Sequence, residues 1–324
     1  STTGARRAWA PSADGPGPSL VGFVIQTWAR HNRPGHNRPG RYHEPAMAVF
    51  LSLLTAAMFG TGDFLGGMAA KRASILQVVA GSHLVGLVGV LAVTPLVADA
   101  FSWTDLGLGA AGGAFGGAGV ALLYRGLARG PMAVVAPLTA VTSAAVPAVW
   151  GLADGDELSA AAWVGVGLAL VAIGLVSVST GSFTTPVTPL VVVEALLAGM
   201  GFGLFFIFLD ITDGANAPWP VVGARLVTSV TLIGVILLTR RQLVPADRLG
   251  AGLIVATGAF DTGSNVAFLF ATDQGQLTLV AVLSSLYPIV TVLLARVVLS
   301  ERMTRLQLAG FVAALSGTVL IAAG

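Results

Sequence analysis

From Met47 to the end of the chain, apolar stretches of near 20 residues recur with only short interruptions. A helix needs about 20 consecutive apolar residues to cross the hydrocarbon core of a bilayer. The pattern predicts spans at 47–69, 75–97, 104–127, 131–151 and 160–179, then 189–209, 219–239, 250–272, 276–299 and 304–323. Helices are the expected form, because lipid offers no partner for a free backbone N–H or C=O. Barrel strands would alternate in polarity, and these stretches do not. The expected class is an all-α integral membrane protein with ten transmembrane helices. Composition agrees: 55% of residues are hydrophobic and 10% are charged, against about 25% charged in soluble domains. That excludes a water-soluble globular fold. Span 1 lacks a basic leader and exceeds the length of a signal peptide, so it is expected to remain in the mature chain. With no cysteine, the sequence holds no disulfide, thiolate metal site or cysteine nucleophile.

The net charge of +2 and the pI near 9.5 hint at a nucleic-acid partner until charge is placed along the chain. Residues 1–46 carry six arginines against Asp14 and Glu44, whereas 47–324 carry 11 basic and 13 acidic side chains. Basicity belongs to the tail, so no nucleic-acid partner is expected. That tail contains the tandem repeat His31-Asn32-Arg33-Pro34-Gly35, His36-Asn37-Arg38-Pro39-Gly40 and cannot bury a core. It is expected to be a disordered basic segment, with Met47 as the natural start. Neither a metal nor a cofactor is expected.

Spans 1–5 and 6–10 are related to each other. Ala57-x-x-Gly60-x-Gly62-x-Phe64 recurs as Ala198-x-x-Gly201-x-Gly203-x-Phe205, and Gly81-Ser82-His83-Leu84-Val85 as Gly223-Ala224-Arg225-Leu226-Val227. Gly130, Val135-Ala136, Asp156 and Gly165 match Gly275, Val280-Ala281, Glu301 and Gly310. The expected organisation is a first repeat at 47–180 and a second at 189–324. Five spans per copy is odd, so the second copy enters the membrane upside down. Loop charges agree. Lys71, Arg72, Arg125, Arg129, Arg240, Arg241, Arg248, Arg302 and Arg305 follow odd-numbered spans, while the other loops carry acids and no Lys or Arg. The positive-inside rule makes the basic side cytoplasmic and places Met47 and Gly324 outside. Inverted repeats of this kind are a transporter architecture with a midplane site.

Certain segments resemble the EamA family of the drug/metabolite transporter superfamily. They are Ser284-Ser285-Leu286-Tyr287-Pro288 in span 9, Ser300-Glu301-Arg302-Met303-Thr304 after it, Gly310 with Gly317 in span 10, and Phe59-Gly60-Thr61-Gly62-Asp63-Phe64-Leu65-Gly66-Gly67 in span 1. The resemblance implies ten helices in two five-helix repeats and transport of small metabolites or drugs, commonly as export. It also implies cytoplasmic termini, opposite to the loop charges.

Charged groups at membrane depth are costly and tend to face a cavity or a partner. His83 and Arg225 occupy matching positions in the two repeats and are candidates for a substrate carboxylate or phosphate. Equally, Arg225 could simply neutralise Glu194 or Asp261. Asp261 and Asn265, four apart, share one face of span 8. Tyr287 precedes the helix-breaking Pro288. Candidate substrate-binding residues are therefore His83, Arg225, Asp261, Asn265 and Tyr287. Candidate proton carriers are Glu194, Asp261 and Asp63. The sequence contains no HExxH, GxSxG, paired-aspartate motif or Walker lysine, so no catalytic residue is assigned and no enzyme is expected. The expected function is secondary transport of a small solute across the plasma or inner membrane, by a monomer or homodimer. The alternative is a non-transporting membrane subunit or lipid-handling protein of the same fold.

Overall fold

The structure, a computed structural model, describes residues 45–323 apart from 99, 130–131, 178–187, 214–215, 241, 243–246 and 301–303. The arginine-rich tail, with Glu301 and Arg302, lies outside the described residues. Helices form where the apolar spans predict them: α1 (Pro45–Ala70), α2 (Ile75–Val97), α3 (Trp103–Arg129), α4 (Met132–Asp154) and α5 (Ala160–Ser177). In the second half they are α6 (Pro189–Asp210), α7 (Trp219–Thr239), α8 (Arg248–Gln274), α9 (Leu277–Ser284), α10 (Tyr287–Leu299) and α11 (Arg305–Ala323). Seven segments among the described residues are long and apolar enough to cross a membrane: α1, α2, α3, α6, α7, α8 and the α9–α10 pair taken together. The remaining apolar helical stretches, Leu138–Asp154, Ala160–Val176 and Arg305–Ile321, are shorter.

Predicted span 9 is one apolar run but two helices. Ser285 and Leu286 hold turn geometry, φ −75°, ψ 0° and φ −74°, ψ 2°. Pro288 follows in the first turn of α10. Proline has no N–H to give the preceding turn and fits best at the start of a helix, and here the chain stops and restarts ahead of it.

Helix starts carry local signals. Ser74 and Gln77 form a capping box at α2. Thr188 accepts from the Val191 N–H at α6, where Pro189 opens the helix. Asp247 accepts from the Leu249 and Gly250 amides at α8, both at 3.2 Å.

Neighbours in sequence are not the main neighbours in space. α1 packs chiefly on α8, and α3 on α6 and α7. α2 lies against α7 and α8, α4 against α6 and α9, α10 against α1, and α5 against α11. Lipid supplies no hydrophobic drive for these contacts, so close backbone approach matters. α3 shows how its glycines serve this. A Cβ on Gly113 would come within 2.6 Å of the Ala224 backbone on α7, and one on Gly119 within 2.9 Å of the Ala198 carbonyl on α6. At the far side of the bundle, a Cβ on Gly165 of α5 would lie 2.7 Å from the Gly317 carbonyl of α11.

The outward surface is apolar, with Leu96, Val230, Leu238 and Val297 exposed, as a surface facing hydrocarbon must be. Phe101, Trp103 and Trp219 cluster where α3 and α7 begin, with ring centroids 4.8 Å apart, the chemistry of an interfacial belt. Loop contacts sort by charge. At one end Arg72 Nη1 donates to Asp247 Oδ2 at 2.9 Å, which holds the Asp247 carboxyl below its ordinary range, with help from the Leu249 N–H. Elsewhere acidic loops meet polar partners: Asn216 donates to Asp105 at 2.5 Å, and Thr278 donates its N–H and hydroxyl to Asp156 at 2.9 and 2.7 Å.

Candidate functional site

The helices that pack across the two halves leave a cavity of about 280 Å³ between them. α1 contributes Phe59 and Asp63, one turn apart. α2 contributes His83, α7 Arg225 and Thr228, and α8 Asp261 and Asn265. Tyr287, at the restart after the break, closes one wall with Ser284 and Ser285. Among the described residues, none of α5 or α11 lines it.

The small residues of α3 make room here. Gly116 and Gly117 face the cavity, and a Cβ on Gly117 would meet only the Thr228 methyl, at 3.6 Å. On α1, Gly62 lets the helix approach α8 at the Asp261 backbone, where a Cβ would sit 3.4 Å from the Asp261 nitrogen. That approach brings the two carboxylate-bearing helices to one cavity.

Arg225 is the most interior charge of the group, with 7% of its side chain exposed. Its Nη2 donates to Asp261 Oδ2 at 2.5 Å, a charge-assisted bond of the strong kind. Its Nη1 lies 3.4 Å from both ring nitrogens of His83. Equal reach to both places that nitrogen alongside the ring rather than on one lone pair. The His83 Nδ1 instead pairs with the Thr228 hydroxyl at 2.8 Å, and that hydroxyl also donates to the Ala224 carbonyl one turn back at 3.0 Å. A donated Thr228 hydroxyl leaves its oxygen to accept, which fits a proton on Nδ1. Asn265 donates to the Asp261 carbonyl at 2.7 Å, and its own Oδ1 is buried without a partner. Ser284 Oγ and Arg225 Nε are also buried and unpartnered.

The sequence-derived candidates thus separate. His83, Arg225, Asp261, Asn265, Tyr287 and Asp63 line one cavity. Glu194 does not. It is buried on α6 with Oε1 2.5 Å from Arg129 and 3.3 Å from Arg125, at the other end of α3 from Asp105. Of the two acids weighed as partners for Arg225, the structure selects Asp261. Sequence reasoning missed Thr228 and the aromatic wall of Phe59, Phe202, Phe205 and Phe206. Thr228 carried a signal, since it lies three residues from Arg225 and shares its helix face.

Residues 189–323, α6 to α11, match the profile of the EamA-like transporter family, part of the drug/metabolite transporter superfamily. The chain carries an EamA-like transporter domain. Solved structures share the fold: in one crystal structure of a protein, 96% of that chain aligns with 85% of this one at a TM-score of 0.71 and 17% identity. No curated protein matches the chain. The EamA-like domain supplies Arg225, Asp261, Asn265 and Tyr287 to the cavity, and the preceding half supplies Phe59, Asp63 and His83. The apolar helices make the protein a multi-pass membrane protein, and its second half is similar to a transporter family.

Proposed function

We propose that this protein is a secondary transporter that moves a small organic solute across the plasma or inner membrane, through the cavity between its two halves. The observation that carries the proposal is the gathering of the intramembrane charges Asp63, Arg225 and Asp261 around one cavity, to which both halves contribute. Charge at this depth is costly unless it has work to do.

The proposed architecture is ten spans in two inverted five-helix repeats, 47–180 and 189–324. Helix pairing supports it. Exchanging the two halves turns the α1–α8 contact into α3–α6, α2–α8 into α3–α7, and α1–α10 into α4–α6, and each of these contacts is present. Pairs that map onto themselves, α2–α7 and α5–α11, are present too. Alternating access then follows from rocking one set of helices against the other. The basic loop ends would face the cytoplasm. Proton coupling falls to Asp63 and Asp261, which reach the cavity, rather than to Glu194, whose buried carboxylate is occupied by two arginines. The family likeness makes export the direction to test first.

Reconstitution in proteoliposomes tests the reading. A panel of labelled anionic, zwitterionic, neutral and cationic metabolites is screened for counterflow. Accumulation of at least one against its own gradient is expected. Absence of flux for the whole panel, with the protein folded, would leave the non-transporting reading in its place.

A further inference from the structure

We infer that the solute is an organic cation, held by the Asp63 carboxylate against the rings of Phe59, Phe206 and Tyr287. The inference rests on the transporter reading above and narrows it to a chemical class.

Charge comes first. Two carboxylates, Asp63 and Asp261, and one guanidinium, Arg225, face the cavity. Arg225 is already committed to Asp261. Among the described residues no salt bridge reaches Asp63, whose side chain is exposed to the cavity. With Arg225 and Asp261 cancelling, Asp63 leaves the cavity with one negative charge in excess. An anionic solute would have to draw Arg225 away from Asp261 and then sit beside two carboxylates in a poorly screened interior. A cation meets Asp63 with no bond to break.

The rings supply the second, independent observation. Phe59 lies one turn before Asp63 on α1, so ring and carboxylate share a face. The Phe206 and Tyr287 rings each stand 6.1 Å from the Phe59 ring, at 78° and 55° to it. A set of tilted rings around a small space presents π faces from several directions, the arrangement that recognises quaternary and protonated amines. These rings differ from plain core aromatics. Phe268, packed 4.5 Å behind Phe206, is fully buried, whereas Phe59, Phe206 and Tyr287 remain partly open to the cavity. At about 280 Å³ the space is at the small end for ligand pockets, which suits a single-ring amine.

The test is calorimetric binding to the full chain in lipid nanodiscs. The cationic probes are benzyltrimethylammonium and phenethylammonium, with phenylacetate as the anion and benzyl alcohol as the neutral comparison. Saturable binding of at least one cation is expected, with neither phenylacetate nor benzyl alcohol binding as tightly. Asp63→Asn and Phe59→Ala should each weaken it by about tenfold or more, and Asp63→Glu, which keeps the charge, should retain most of it. Each variant is first checked by its melting profile, and Asp63→Ser, which also removes the charge, stands in if Asp63→Asn does not fold. Tighter binding of phenylacetate, no saturable binding of either cation, or an Asp63→Asn affinity equal to wild type would overturn the inference. Flux measured on the same preparations separates the two readings. Cation binding without counterflow supports the cation site and removes transport. Counterflow of an anion with no cation binding keeps transport and removes the cation site.

Discussion

Arg225 and Asp261 are 36 residues apart in sequence and 2.5 Å apart in space, joining α7 to α8 across the cavity wall. The guanidinium is nearly inaccessible, whereas 30% of the Asp261 side chain is open. The pair therefore stands half in the protein and half in the cavity.

Breaking such a pair and removing it have different consequences. Arg225→Ala leaves Asp261 uncompensated beside Asp63 and should destabilise by about 3–5 kcal/mol, toward the lower figure because Asp261 reaches the cavity. Adding Asp261→Ala to that variant should recover part of the loss. Thermal unfolding of the four proteins in one detergent closes the cycle. A double variant no more stable than Arg225→Ala would count against the pair as the source of the effect.

Glycines on one helix should respond oppositely according to what they face. Gly113→Ala forces α3 away from the Ala224 backbone and should cost about 1–3 kcal/mol. Gly107 has open space around it, and Gly107→Ala should be neutral or stabilise by up to about 1 kcal/mol, as helix propensity dictates. Melting temperatures of the two variants give the comparison directly.

Glu194→Gln separates fold maintenance from transport. Replacing the carboxylate weakens the bonds from Arg129 and Arg125 and should lower stability by about 1.5–3 kcal/mol. Flux per folded molecule should keep its wild-type pH dependence, since this acid lies outside the cavity lining. Loss of the pH dependence in proteoliposomes would return Glu194 to the coupling path.

The Arg72–Asp247 contact makes a pH prediction of defined sign. Asp247 is held below its ordinary pKa of 3.8 by Arg72 and by the α8 amides. Its contribution to stability is therefore fully present above the unfolded value and fades as pH falls through the lower folded one. The melting-temperature difference between wild type and Asp247→Asn should be constant from neutral pH down to about 5 and shrink below about 4. It should also shrink in high salt, because the pair is exposed.

Helix positions were legible because about 20 apolar residues in a row have few other uses. The matching of His83 with Arg225 was legible from the repeat alone, and the two side chains meet in the fold. The interruption of span 9 was signalled by Pro288 but not placed, since proline forbids the helical bond of the preceding turn without choosing which residues unwind. Which acid faces Arg225 could not be read. Glu194 and Asp261 are both acids on apolar helices, and which of them reaches Arg225 depends on how α6 and α8 pack against α7, which the sequence does not give. The aromatic wall was hidden for a similar reason, because phenylalanine is ordinary in any membrane helix and only its exposure to a void distinguishes it.

The pairing of α1 with α8 and of α3 with α6 has a consequence for how the chain is made. Helices of the first half have their main partners in the second, so glycine-lined faces such as that of α3 must wait in the bilayer until α6 and α7 are made. Each half expressed by itself should be short-lived, and the two halves co-expressed as separate polypeptides should find each other. Assembly, rather than insertion, is then the step at which quality control has its opportunity.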